Sequence, residues 1–135
     1  MTLTIRESVN VPGLGSRSFT FEVDLPEDKQ VVNNEIRLIV EAVKEFIENG
    51  EQLGDVQVGD YIVEFYFLRE EDLGEYYRAY YVASIRGVDE PGTECRAVYR
   101  IVIDYEKQRV LIQDVSSLAG LEQRIPIENI VRKKY

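Results

Sequence analysis

Nine tyrosines and 25 aspartates and glutamates are the side chains of this 135-residue chain that could hold or move a proton, since it has no histidine and one cysteine. Without histidine there is no Ser-His-Asp triad, no Cys-His pair and no imidazole acid or base at neutral pH. Cys95 alone can form neither an internal disulfide nor a Cys-x-x-Cys redox or zinc motif. Any acid–base chemistry would have to come from carboxylates and phenols whose pKa values are shifted by burial.

Paired carboxylates are the first possibility. Asp60 and Glu64 share a strand face, but four residues of strand rise set them about 13 Å apart. Glycosidase pairs need roughly 5–9.5 Å. Asp104 and Glu106 come closer, at about 7 Å, yet they flank a hairpin turn where Lys107 and Arg109 can satisfy them. Glu70, Glu71, Asp72 and Glu75 could offer carboxylate oxygens to Mg²⁺ or Ca²⁺. That run lacks the Asp-x-Asp-x-Asp-Gly order of a calcium loop, and a charged turn that discourages edge pairing accounts for it more simply. The stretch Pro12-Gly13-Leu14-Gly15-Ser16-Arg17 feeds a strand rather than a helix N-terminus. It reads as a hairpin loop and not as a phosphate cradle. No metal or cofactor is expected.

The tyrosines are the most distinctive feature. Four fall within six residues (76, 77, 80, 81), with Tyr61, Tyr66, Tyr99 and Tyr105 nearby in sequence. Strand alternation would place Tyr66, Tyr76 and Tyr80 on a wetter face with Arg78, Arg96 and Arg100. Tyr and Arg are enriched at interface hot spots, and tyrosine platforms also stack on bases. The charge speaks against nucleic acid. The net is −9, and residues 1–94 hold 20 acidic and 8 basic side chains, a net of −12, against +3 for the remainder. Such a body repels phosphate and favours basic partners. The plainer alternatives are solubility alone, or a second small core covered by the C-terminal tail or a second subunit. The closing Arg132-Lys133-Lys134-Tyr135 reads as a frayed basic end.

The elements that must position these residues follow from periodicity. Residues 2–9 and 18–25 alternate as strands, the second presenting Phe19, Phe21, Val23 and Leu25 on one face. Val32, Ile36, Ile39, Val40, Val43, Phe46 and Ile47 recur at helical spacing, with a mostly acidic opposite face and an Asn49-Gly50 stop. Strands are then expected at 61–69, 76–85, 95–105 and 109–115. The first hairpin would pair Phe67 with Ala79, Val63 with Ala83 and Tyr66 with Tyr80, across a turn-like acidic EEDLGE. The second would pair Ile103 with Ile112 and Glu106 with Arg109.

This amounts to one α+β domain over residues 1–135. One amphipathic helix packs across a curved, mainly antiparallel sheet of about six strands, in the order ββαββββ plus a tail. With no basic-then-apolar leader, no apolar run near membrane length and a lone cysteine, a soluble cytoplasmic protein is expected.

Fold class does not fix function, and three roles suit these residues. The first is a small acidic interaction protein, of inhibitor, immunity or adaptor type, that binds a basic protein surface. Its attraction would come from the helix face and the 70–75 and 89–94 loops, with contacts at Tyr66, Tyr76, Arg78, Tyr80, Glu70, Glu71 and Asp72. The second is a ligand-binding or enzymatic domain, with a helix–sheet pocket lined by Tyr77, Tyr81 and Tyr99. The third is a structural subunit of a homo-oligomer.

Overall fold

The computed structural model describes residues 2–26, 33–52, 54–90 and 95–116. They form seven strands and one helix: β1 (Thr2–Val11), β2 (Gly15–Asp24), α1 (Asn33–Glu48), β3 (Asp55–Val58), β4 (Tyr61–Asp72), β5 (Tyr77–Gly87), β6 (Ala97–Asp104) and β7 (Arg109–Asp114). All seven strands belong to one curved sheet, ordered β1-β2-β7-β6-β5-β4-β3. The α+β expectation holds, with the helix laid across the inner face. The sheet itself is mixed and has seven strands rather than six. β2 and β7 run parallel, and every other pairing is antiparallel.

The helix forms as its spacing predicts. Ile36, Ile39, Val40, Val43, Phe46 and Ile47 are all buried against the sheet. Phe46 stacks on Phe65 of β4 at 4.0 Å and meets Tyr81 of β5 edge-on at 5.0 Å. Phe19, Phe21, Ile101, Ile103 and Ile112 complete the same core from the sheet side. The helix ends at its glycine. Gly50 has φ +69°, its N–H donates to the Ile47 carbonyl, and the Glu51 N–H donates to that of Phe46. These two bonds close a Schellman-type cap. Glu51 is itself left-handed, at φ +59°.

Topology explains the parallel pair. After β2 the chain crosses the sheet as α1 and re-enters at the far edge as β3. It then meanders back through β4, β5, β6 and β7. Four antiparallel steps leave β7 running the same way as β3, which is the direction of β2. β3 has only four residues (DVQV) with Val56 buried, too short for an alternation pattern to register.

Both hairpins depart from the expected pairing. In β4–β5, Val63 lies opposite Ile85, Phe65 opposite Ala83, Phe67 opposite Tyr81 and Tyr66 opposite Val82. A bulge between Phe67 and Arg69 then shifts the register, so that Arg69 faces Tyr80 and Asp72 faces Tyr77. The acidic run is therefore strand and not turn. The turn is Leu73–Tyr76, with Gly74 at φ +92° and the Leu73 N–H donating to the Tyr76 carbonyl. In β6–β7, Ile101 opposes Ile112 and Asp104 opposes Arg109. That turn is four residues long because the Asp104 Oδ1 accepts the Lys107 N–H at 3.0 Å and Gln108 turns left-handed at φ +53°.

The Pro12–Leu14 segment is a tight turn between β1 and β2. Gly13 and Gly15 have φ of +81° and +77°, and the Leu14 N–H donates to the Val11 carbonyl. Residues 91–94, the tail beyond Ser116 and the Arg132–Tyr135 patch lie outside the described residues. No helix among the described residues is long and apolar enough to cross a membrane.

Candidate functional site

Strand alternation sends the odd-numbered tyrosines of β5 toward the helix, and the left-handed turn after α1 brings a carboxylate back over them. Tyr81 Oη donates to Glu51 Oε1 at 2.5 Å, and Tyr105 Oη donates to Oε2 at 2.6 Å. Tyr77 Oη donates to Oε2 as well. One carboxylate thus accepts three phenols from two places in the sheet. The Tyr77 and Tyr105 rings lie 4.6 Å apart, and the edge of Phe67 approaches Tyr81 at 5.7 Å. Burial and the adjacent Glu51 carboxylate push all three phenols well above the ordinary tyrosine pKa.

Beside this cluster lies a cleft of about 310 Å³ at the C-terminal end of α1. Its floor is Ile47, Gly50 and Glu51. Pro12 and Leu14 of the β1–β2 turn form one wall, and Glu75, Tyr76, Tyr77 and Tyr105 the other. Leu14 and Tyr76 are exposed at its mouth. Further along the helix, Tyr99 is 1% exposed and donates to Glu35, so its phenol is also raised, by burial first and then by that carboxylate.

Tyr77 and Tyr81 therefore meet at Glu51, while Tyr99 belongs to a separate pair. The three do not line one pocket. Between them the helix–sheet interface is filled by Phe46, Phe65, Ile39 and Ile101.

The outer face of the sheet carries a different arrangement. Glu71, Arg78, Tyr80 and Tyr66 all lie there. Arg78 donates to Asp104 at 2.9 Å and to Glu71 at 3.2 Å. Arg69 pairs with Glu71 and sits 3.7 Å over the Tyr80 ring, whose hydroxyl donates to the same Glu71. Glu64 accepts from Arg86 and from Tyr66, both at 2.7 Å, and Arg109 bonds Glu22 at 2.7 Å. The Arg69 guanidinium holds the Glu71 carboxyl below the usual carboxylate range. Burial alone would raise Asp104, but the Lys107 N–H and Arg78 outweigh it and hold that carboxyl low. At one end of this face Val82, Cys95, Val98 and Val115 form a small second core, with Tyr66 and Leu68 against it.

The seven residues singled out as partner contacts thus fall into two groups. Tyr66, Glu71, Arg78 and Tyr80 share the outer network. Glu70 and Asp72, opposite Ala79 and Tyr77, lie on the helix side, and Tyr76 sits at the cleft. Of the proposed carboxylate pairs, Glu64 and Asp104 are both bound to arginines. No three His, Cys, Asp or Glu side chains among the described residues converge as a metal site would require.

Sequence reasoning passed over Glu51 and Glu35. The available signal was positional: a glutamate directly after a helix stop, at the end of the sheet where Tyr77 and Tyr81 share a face. Comparison with protein-family models, with curated proteins and with solved structures finds no match for this chain.

Proposed function

We propose that this chain is a small acidic interaction protein that binds a basic protein surface, as an inhibitor, immunity protein or adaptor does. One observation carries this: the internal ion pairs leave the two sides of the sheet with different charge. Arg69, Arg78, Arg86 and Arg109 of the outer face are committed to Glu71, Asp104, Glu64 and Glu22. On the helix side Glu41, Glu45, Glu51, Glu70 and Glu75 make no ion pair among the described residues, and the basic side chains there are fewer: Arg37 and Lys44 of the helix and Arg17 of β2, opposite Val9. A one-sided negative potential steers a basic partner and orients it on arrival. A single, buried cysteine, Cys95, suits a reducing compartment, and we take the protein to be cytoplasmic.

The test is a pull-down from native lysate at low salt, eluted with a salt gradient and repeated with Glu41→Lys/Glu45→Lys. A basic protein retained by the parent and lost by the charge-reversed form is expected. A partner that binds both equally would refute a role for this face.

A further inference from the structure

We propose that the cleft at the end of α1 binds an organic cation, the ammonium or guanidinium head of a lysine or arginine on a partner protein. This rests on the acidic-interaction role above and names the anchor that role would use. The cleft is at the small end of the size range for ligand pockets, with room for one long side chain.

Two carboxylates face it, Glu51 and Glu75, and neither has a cationic partner among the described residues. The three phenols on Glu51 hold that carboxylate in place without neutralising it, because each is a neutral donor. The C-terminal end of a helix is the negative end of its dipole and usually recruits a basic residue. The last turn of α1 has none. Tyrosine walls add the attraction of ring faces for cations, while Pro12 and Leu14 offer apolar surface to an alkyl stem. A hard divalent ion would seek six or more oxygens, and two carboxylates beside apolar walls do not provide them. A neutral or anionic ligand would face two uncompensated charges.

The test is amide chemical-shift mapping on the full, nitrogen-labelled chain, titrated with butylammonium chloride and separately with a tetralysine peptide. Both are expected to shift Gly50, Glu51, Gln52, Tyr76 and Tyr77. Glu75→Gln should weaken both about tenfold, the scale of one charge-assisted contact. Asp60→Asn, in the β3–β4 turn at the far end of β4 from Asp72 and Tyr77, should change neither. Glu51→Gln gives the same comparison wherever its spectrum stays dispersed, and Glu75→Gln covers the case where it does not. If butylammonium shifts none of these residues while tetralysine still shifts the helix face, the cleft site is overturned and the acidic-interaction role stands. Butylammonium in the cleft with no tetralysine binding anywhere would overturn the lysine anchor together with that role.

Discussion

Four phenols held neutral in the folded protein should make it fail sharply in alkali. Tyr77, Tyr81, Tyr99 and Tyr105 all have pKa values raised by burial and by a neighbouring glutamate. In the unfolded chain they ionise near 10. A group whose folded pKa is raised contributes stability that is complete below its unfolded value and is lost as pH climbs from there toward the folded value. The sensitive window therefore opens at about pH 10 and extends upward. Each such phenol costs about 1.4 kcal/mol per pH unit in that window. Tyr81, Tyr99 and Tyr105 are at most 7% exposed, so together they give about 4 kcal/mol per unit. Half-buried Tyr77 adds a fraction screened by solvent. Against the ~5–15 kcal/mol of an ordinary domain, unfolding is expected between about pH 11 and 13. Urea titrations at a series of pH values would show a plateau and then a steep fall. Tyr99→Phe should flatten that fall by about 1.4 kcal/mol per unit, which separates the phenols from the lysines that titrate nearby. A folding free energy that stays level past about pH 11 while phenolate absorbance rises in the folded protein would refute the account.

Three smaller perturbations probe the scaffold. Phe46→Ala empties the stack against Phe65 and Tyr81 and should cost about 3–5 kcal/mol in denaturant titrations. Ser84 is 1% exposed and its Oγ has no hydrogen-bond partner among the described residues, so Ser84→Ala should stabilise by about 1 kcal/mol, seen as a higher urea midpoint. Asp104 has a lowered pKa, so its contribution is complete above the ordinary carboxyl range and disappears as pH falls through the folded value. Asp104→Asn should therefore lower the thermal midpoint at pH 7 and leave it nearly unchanged in strong acid, as scanning calorimetry at both pH values would show.

Much of this fold could be read from periodicity because its elements bury one face each. The helix stripe from Ile36 to Ile47 and the alternation of Phe19, Phe21 and Val23 have a single arrangement that buries them. What escaped was set by turns and counting. Both hairpin registers differ from expectation because the turns are four residues long, held by Gly74 and by Asp104 with Gln108. Shifts by two residues keep each side chain on its face, so the core residues are as expected even where their partners are not. Missing the four residues of β3 changed the parity of the meander, and the parallel β2–β7 contact went with it. The Glu51 cluster depends on the spatial meeting of α1, β5 and Tyr105, for which local pattern carries no signal.

The bulge at Leu68 ties the register of β4 to the charge of the two faces. Before it, even-numbered residues such as Glu64 and Tyr66 face outward. After it, Arg69 and Glu71 do. Without the inserted residue, alternation would turn Arg69 and Glu71 toward the helix side and Glu70 and Asp72 outward. Arg69 would then leave Tyr80 and bring a guanidinium to the side of the sheet that holds the tyrosines and Glu51. One extra residue in β4 thus keeps an arginine on the outer face, where Glu71 neutralises it. Among the described residues it leaves the carboxylates beside the cleft without an ion-pair partner, as a site for a foreign cation requires.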